Sequence, residues 1–239
     1  MQRSDETAHI GETVRIGETC IRETRIGETA RIRETVLIGL TGTYCAGKNY
    51  IARFLEARGL PTLDVDALGH QALEMEKSAV LARFGSSVLG KDGAIDRRAL
   101  GAKAFGDKAA LAALEGIVHP AVNRLTDSWI AGRQGMPCVV NAALLHKSSA
   151  FHRFSFIILV KAPLIVRLLR AKRRDKLPWI QIVKRFISQK NFTPQYFQKN
   201  ADIVIVHNGG FFDLWTRLFR GSPEKQIDVI LSLKLLQKT

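Results

Sequence analysis

The sequence has little of what marks membrane-spanning, secreted or disulfide-stabilised proteins. None of its apolar runs approaches the roughly 20 residues that a membrane-spanning helix needs. Its N-terminus has neither the apolar core of a secretory signal nor the acid-poor composition of a transit peptide. The cysteines, Cys20, Cys45 and Cys138, are odd in number and lack metal-ligand spacing. We therefore expect reduced thiols, no membrane partner and a cytoplasmic location.

Acidic residues are scarce in one long segment. Residues 161–199 hold eleven Lys or Arg against a single acid, Asp175, and so contribute +10 of the net charge of +14. Such a segment can bind nucleic acid, form a solvated face or close over an anionic small molecule. Because no nucleic-acid-binding module is recognisable, we favour the small-molecule interpretation and expect no nucleic-acid partner.

Residues 1–35 differ from the rest of the chain in being a low-complexity repeat. The dipeptide Glu-Thr recurs every five or six residues from Glu12 to Glu34. One unit is too short to bury a face, and the spacing fits neither a heptad nor a solenoid period. We predict that this segment is disordered. An alternative hypothesis is that translation begins near Val36 and that the repeat is an upstream tract read in frame.

The most informative stretch is an apolar run followed by a glycine-rich loop. The run from Val36 to Leu40 is typical of a buried parallel strand, and the spacing Gly-x-x-x-x-Gly-Lys of a phosphate-binding loop follows it. The glycines allow a tight turn whose N–H groups point into one concavity, and a following helix adds its positive end. The predicted nucleotide site consists of Gly42, Thr43, Tyr44, Cys45, Ala46, Gly47, Lys48, Asn49 and Tyr50.

One position of this loop departs from the common pattern. The residue after the lysine is usually Ser or Thr, whose hydroxyl binds Mg²⁺, whereas this chain has Asn49. A carboxamide oxygen can still bind a hard cation, directly or through a water. Asn49 is therefore the candidate metal ligand, and the alternative is a nucleotide site that has lost catalysis.

The next predicted strand covers residues 62–65. Two aspartates, Asp64 and Asp66, stand at its C-terminal end. Ligands of open parallel sheets gather at that edge, so a carboxylate there can face both the phosphates and an incoming hydroxyl. Asp66 is the candidate base. The competing interpretation is that one of the two aspartates caps a helix.

The rest of the pattern predicts the fold class. Residues 68–135 have helical patterns that interrupt the alternation of strands and helices, as an inserted substrate domain would. Apolar runs at 139–145, 156–160 and 203–206 bring the number of predicted strands to five. This order predicts a three-layer α/β fold around a parallel five-stranded sheet. The core is assigned to residues 36–67, 136–163 and 201–239, with a basic region at 164–200.

From residue 36 to about 220 the chain resembles the dephospho-CoA kinases, enzymes of coenzyme A synthesis. The resemblance is carried, in order, by GLTGTYCAGKN, LDVD, FGSSVLGKDGAIDRRAL, LEGIVHP, AKRRD and ADIVIVHNGG. It implies that the γ-phosphate of ATP is transferred to the ribose 3′-hydroxyl of dephospho-CoA with the help of Mg²⁺. It also implies a P-loop NTPase fold whose nucleotide core carries a helical CoA-binding domain at 68–135 and a mobile lid at 164–200.

Matching positions imply three catalytic roles. Lys48 would hold the ATP phosphates, and Asp66 would orient or deprotonate the 3′-hydroxyl. Arg174, in the lid, would neutralise charge on the transferring phosphoryl group. These roles are physically sound, because phosphoryl transfer depends on in-line positioning and on cations placed where charge spreads over the oxygens.

Other matching positions imply contacts with the two substrates. Thr41 would face the acceptor. His119, which precedes a proline and is expected to end its helix, would lie near the acceptor as well. Asn208 and Gly209 match a turn near the adenine of ATP, and Arg170 would flank that base.

The sequence departs from the family pattern at three places, one of them near Arg167, where the helix after the fourth strand usually begins with a Gln. The third-strand motif of the family usually ends in Glu, and this chain has Lys147 there. The third departure is Asn49. Two alternatives therefore stay open beside an active dephospho-CoA kinase: a nucleotide-binding protein without turnover, and another small-molecule kinase of the same architecture.

Overall fold

A parallel sheet of five strands forms the centre of the structure, a computed structural model that describes residues 35–188, 202–209 and 221–236. The strand order is β2-β3-β1-β4-β5. The strands are β1 (Leu37–Gly42), β2 (Thr62–Asp64), β3 (Cys138–Asn141), β4 (Phe156–Lys161) and β5 (Ile203–His207). All paired strands are parallel, so the predicted sheet is confirmed. The predicted disorder of residues 1–35 concerns residues that, except Thr35, lie outside the described ranges.

Helices cover both faces of this sheet. In the described part they are α1 (Lys48–Ala57), α2 (Val65–Met75), α3 (Lys77–Phe84), α4 (Arg97–Ala104), α5 (Lys108–Ala131), α6 (Leu164–Asp175), α7 (Trp179–Ser188) and α8 (Pro223–Leu236). On one face Ile38 and Leu40 of β1 pack in a cluster with Leu55 of α1 and Ile227 of α8. On the other face Leu37 packs in a cluster with Ile130 of α5. None of the helices described is long and apolar enough to cross a membrane.

The helices between β2 and β3 have a small core of their own. It contains Leu73, Val80, Phe84, Val88 and Leu100, which are all at least nine-tenths buried. This cluster is separate from the two clusters on the sheet. The chain between β2 and β3 thus consists mainly of the helices α2 to α5, and the assignment of residues 68–135 as an inserted substrate domain stays a prediction.

Parallel pairing brings the carboxyl ends of the strands to one edge, where the glycine-rich loop leaves β1. Asp64 is paired with Asn141, and Asn141 with Leu40, so β2, β3 and β1 end at neighbouring positions. Gly42 lies opposite Val160 of β4, where a Cβ atom would stand 2.9 Å from the Val160 carbonyl oxygen. Only glycine fits this close approach of two strands, and the loop can then turn above the sheet.

Two predicted strands end earlier in the structure. The second strand stops at Asp64, because that carboxylate accepts a hydrogen bond from the N–H of Asp66 and so caps α2. The third strand stops at Asn141, and the chain bends into a 3₁₀ turn at Leu145–Lys147. Leu145 is fully buried, so its apolar character serves core packing and not the strand.

The prediction that a helix ends at His119 is wrong. The single helix α5 continues through Pro120 to Ala131. A proline inside a helix removes the hydrogen bond to the carbonyl four residues earlier, here that of Gly116. Gly116 is exposed, so water can satisfy this carbonyl. Buried Ala110 and Ile130 anchor the helix on both sides of the proline, and this packing outweighs the local preference.

Candidate active site

The loop between β1 and α1 has the geometry of an anion-binding turn. Cys45 and Gly47 have φ values of 58° and 98°, in the left-handed region, and these two residues reverse the chain before α1 begins at Lys48. Gly47 occupies the N-cap, and no side chain caps the helix there. The first N–H groups of α1 are therefore available to a ligand, together with the positive end of the helix dipole. Burial raises the pKa of the Cys45 thiol, so the thiol adds no negative charge to this site.

Side chains from α6 and from the turn after β5 hold the outer side of this loop. The carbonyl of Ala46 accepts hydrogen bonds from Asn208 Nδ2 at 3.0 Å and from Arg170 Nη1 at 2.9 Å. Arg170 Nη2 also donates to Asn208 Oδ1 at 3.3 Å, which closes the group. Two residues before Ala46, the carbonyl of Tyr44 accepts a hydrogen bond from Arg167 Nε at 2.7 Å. Two loop carbonyls are thus fixed by side chains of other elements.

The phosphate-binding lysine and the candidate base lie in direct contact. Lys48 Nζ is 2.7 Å from Asp66 Oδ2, and Asp66 Oδ1 accepts a hydrogen bond from the N–H of Ala143 at 3.3 Å. The Lys48 side chain is 13% exposed and that of Asp66 is 53% exposed. Asp64 caps α2, so the first turn of that helix presents Asp66 to the open side.

These groups surround one pocket of about 630 Å³, within the usual range for small-molecule sites. Its wall consists of residues 42–50, Asp66, Arg170 and Arg174, with Ala143, Leu144 and Leu159. The structure therefore brings together the predicted loop, base and two basic residues. Sequence reasoning missed the last three wall residues, since apolar residues within a strand, such as Leu159, or directly after one carry no chemical signal.

Four predicted site residues do not belong to the described wall of this pocket: Thr41, His119, Asn208 and Gly209. Thr41 is fully buried, and its hydroxyl donates to the Ala143 carbonyl at 3.3 Å. Asn208 is buried too, where it binds the loop. His119 is half-buried in α5, and Gly209 is buried next to Asn208. Their contacts with substrate stay predictions.

Arg174 belongs to a cluster that the sequence did not reveal. Its guanidinium pairs with Asp175, which also accepts hydrogen bonds from Tyr44 of the loop and from Arg185 of α7. Tyr44 and Asp175 are 131 residues apart in the sequence. The one available signal was that Asp175 is the single acid among residues 161–199.

Lys147, which stands where the family usually has Glu, is paired with a residue of α5. Its Nζ lies 3.1 Å from both carboxylate oxygens of Glu115. Both side chains are about two-fifths exposed, so the pair is screened by solvent. The departure from the family pattern thus has a charge partner in this chain.

Reversing one charge of this pair should destabilise the fold, and reversing both should restore it. Lys147→Glu places two carboxylates face to face, so we expect the free energy of unfolding to fall by about 1 kcal/mol. Glu115→Lys should have a similar effect. The double exchange should have the wild-type free energy of unfolding within about 0.3 kcal/mol, as measured by urea denaturation. A double variant no better than the worse single one would rule out the pair as a stabilising contact.

Comparison with known proteins agrees with this geometry. The family model described as dephospho-CoA kinase matches residues 36–213. A dephospho-CoA kinase of Treponema denticola is 34% identical over 183 residues, which cover 72% of this chain and 82% of the relative. A dephospho-CoA kinase of Anaeromyxobacter dehalogenans is 39% identical over 179 residues, covering 72% and 84%.

Solved structures give the same answer at the level of the fold. A crystal structure from Thermus thermophilus superposes with a TM-score of 0.67 at 31% identity and covers 83% of this chain and 97% of its own. A dephospho-CoA kinase from Campylobacter jejuni has a TM-score of 0.53 at 21% identity with the same coverage, which supports the fold alone. Because the family model spans well over half of the chain and includes the whole loop and Asp66, this chain belongs to the dephospho-CoA kinase family.

Proposed function

We propose that this chain transfers the γ-phosphate of ATP to the ribose 3′-hydroxyl of dephospho-CoA. The observation that carries the proposal is the contact of Lys48 Nζ with Asp66 Oδ2 at 2.7 Å inside one pocket. A lysine at the start of a glycine-rich loop binds phosphate, and a carboxylate at the neighbouring strand end serves an acceptor hydroxyl. The direct contact leaves no room between the two side chains, so a phosphoryl group can lie between them only after the nucleotide has drawn Lys48 away from Asp66.

The reaction then needs few covalent events from the protein. The acceptor oxygen forms a bond to the γ-phosphorus while the bond from that phosphorus to the β,γ-bridging oxygen breaks, so ADP leaves. The proton of the 3′-hydroxyl passes to Asp66 Oδ2, whose other oxygen is held by the Ala143 N–H. Lys48 and Arg174 neutralise the charge that spreads over the phosphoryl oxygens. The loop N–H groups keep the β-phosphate in place.

The pocket wall also contains a donor that suits Mg²⁺. Asn49, which lines the pocket, offers a carboxamide oxygen. Hard oxygen donors of this kind, completed by phosphate oxygens and water, are what Mg²⁺ prefers. The ion would supply positive charge that offsets the negative charge of the nucleotide's phosphates. Among the described residues no group of three or more His, Cys, Asp or Glu is placed to hold a metal.

The domain assignment is part of the same proposal. Residues 68–135 would bind the CoA portion of the acceptor, and the basic residues 164–200 would act as the lid over the nucleotide. The described lid residues Arg167, Arg170 and Arg174 supply positive charge beside the loop, which fits an anionic ligand. The cytoplasmic location expected from the sequence stays a prediction.

An activity assay separates this proposal from its alternatives. Full-length protein with ATP, Mg²⁺ and dephospho-CoA should yield ADP and coenzyme A in equal amounts, with phosphorus NMR locating the new ester at the 3′ position. Turnover of another alcohol in place of dephospho-CoA would identify a different small-molecule kinase. Tight ATP binding in calorimetry without phosphorylation of any acceptor would favour the nucleotide-binding protein without turnover, which Asn49 makes the second candidate.

Replacing Asn49 by Ser tests whether the carboxamide weakens the metal site. A serine hydroxyl is the common Mg²⁺ ligand at this position, so we expect kcat to be equal or up to about tenfold higher at limiting Mg²⁺. The difference should shrink as Mg²⁺ approaches saturation. A Ser variant that is much slower at every Mg²⁺ concentration would mean that Asn49 is part of a tuned site.

A further inference from the structure

Arg174 is held in the pocket wall by an acidic neighbour. Its Nε donates to Asp175 Oδ1 at 2.7 Å, and its Nη2 lies 3.4 Å from Asp175 Oδ2. The guanidinium also lies over the ring of Tyr44, with 5.1 Å from its carbon to the ring centroid. One edge and one face of the guanidinium are therefore engaged while the residue still lines the nucleotide pocket. Such contacts restrict a long side chain that otherwise has many rotamers.

The carboxylate that holds Arg174 is itself held from two other elements. Asp175 has a side chain only 12% exposed, and it accepts hydrogen bonds from the Tyr44 hydroxyl and from Arg185 Nη1, the latter at 3.0 Å. The hydrogen bonds from Arg174 and Tyr44 lower the pKa of Asp175, so the group is charged at neutral pH. A mostly buried carboxylate with these three partners is fixed in position.

Tyr44 connects this group to the phosphate-binding loop. Its ring meets Phe186 of α7 edge to face at a centroid distance of 5.2 Å. Its backbone carbonyl accepts the hydrogen bond from Arg167, whose guanidinium in turn lies 4.7 Å from the centre of the Phe186 ring. Burial raises the pKa of the Tyr44 hydroxyl, so it stays protonated and donates to Asp175. The loop, α6 and α7 therefore meet at one side chain.

We propose that Asp175, Tyr44 and Arg185 are positioning residues that hold the Arg174 guanidinium against the transferring phosphoryl group. The inference rests on the proposed function for the role of Arg174. It adds the residues that fix the position of the Arg174 side chain. Because Tyr44 belongs to the loop that holds the ATP phosphates, it aligns Arg174 with the same phosphates. Arg185 compensates the Asp175 charge, which leaves Arg174 able to donate its remaining N–H groups to phosphate oxygens.

Double-mutant cycles with Arg174→Ala test this dependence. In the wild-type background, Asp175→Asn should lower kcat about thirtyfold and Tyr44→Phe, which keeps the ring, about fivefold. In the Arg174→Ala background neither substitution should lower kcat further, since both act through the guanidinium. The matched control is Asp228→Asn, which breaks a two-bond pair with Arg58 outside the pocket and should leave kcat unchanged.

A binding measurement distinguishes failure of this inference from failure of the proposed function. Calorimetry with ATP and with ADP should show that Arg174→Ala, Asp175→Asn and Tyr44→Phe weaken ATP binding relative to ADP binding, without adding to one another. This pattern supports the inference even if dephospho-CoA is not phosphorylated. Effects that multiply in the Arg174→Ala background, equal losses for ATP and ADP, or an Arg174→Ala variant with wild-type kcat and affinity would each overturn it. If Asp175→Asn unfolds, Tyr44→Phe alone decides.

Discussion

Replacing Asp66 by Asn should lower kcat about a thousandfold while the affinity for ATP changes less than about threefold. The amide has the same shape and can still accept a hydrogen bond, but it cannot take the proton of the acceptor hydroxyl. Asp66 faces the open side of the pocket, and its backbone N–H is held by the Asp64 cap, so the exchange should not disturb α2. The measurement is steady-state kinetics with dephospho-CoA together with calorimetry of ATP binding.

The contact with Lys48 gives this prediction a second, sharper part. In the structure Lys48 Nζ is bound to Asp66 Oδ2, so ATP must displace that carboxylate to reach the lysine. Removing the negative charge removes this competition. ATP affinity in Asp66→Asn should therefore be equal to or slightly above that of wild type. A variant that loses ATP affinity and turnover to the same extent would assign Asp66 to nucleotide binding and not to the acceptor.

Asp64→Asn is the matched control, since it makes the same chemical change two residues away. Asp64 caps α2 through its side chain, and Asn is equally good at an N-cap. We expect kcat, ATP affinity and the midpoint of thermal unfolding to stay close to wild type. If the control loses as much turnover as Asp66→Asn, then negative charge at this sheet edge, and not a specific base, is what the reaction needs.

The elements that follow from local pattern could be predicted from the sequence. The apolar runs of β1 and β4 and the spacing of Gly42, Gly47 and Lys48 each depend on adjacent residues, so the sheet and the loop were predictable. The fate of Pro120 was not, because burial on both sides of the proline decides whether the helix continues. Which of Asp64 and Asp66 caps a helix was also open, since both stand at the same strand end and only the position of α2 separates them.

The hydrogen bonds that support the loop and Arg174 could not be predicted from the sequence, because they join distant parts of the chain. The prediction that Asn208 lies near adenine did not include the hydrogen bond that its amide makes to the carbonyl of Ala46, 162 residues earlier. The approach of Tyr44 to Asp175 likewise depends on how α6 lies against the loop. A motif records which residues recur, whereas a hydrogen bond between two elements depends on tertiary packing. Positioning contacts of this kind therefore require the structure.

Replacing Gly47 by Ala should weaken ATP binding at least a hundredfold, because it disturbs the hydrogen bond between Asn208 and the Ala46 carbonyl. Gly47 has a φ of 98°, which costs an alanine about 1 kcal/mol or more. A Cβ atom there would also lie 2.1 Å from Asn208 Nδ2, closer than any contact allows. Asn208 must then leave the Ala46 carbonyl, and the loop loses the arrangement in which its N–H groups converge on a phosphate.

Gly59→Ala separates backbone strain from this collision. Gly59 has a similar φ of 78°, but a Cβ atom there would meet nothing within 4 Å. This control should lose about 1 kcal/mol of stability through strain and bind ATP like wild type. Calorimetry with ATP and thermal unfolding of both variants give the comparison. Similar ATP affinity in the two alanine variants would mean that strain alone matters.

Combining Gly47→Ala with Asn208→Ala removes the atom that the new methyl group would strike. If the collision is the main cause, the double variant should bind ATP at least about tenfold more tightly than Gly47→Ala alone, although Asn208→Ala by itself weakens binding. Such a reversal of sign is expected only when the two positions are in direct contact. Losses that add would instead place the defect in the loop backbone, and then Asn208 would be one support of the loop among several, with Arg170 still bound to Ala46.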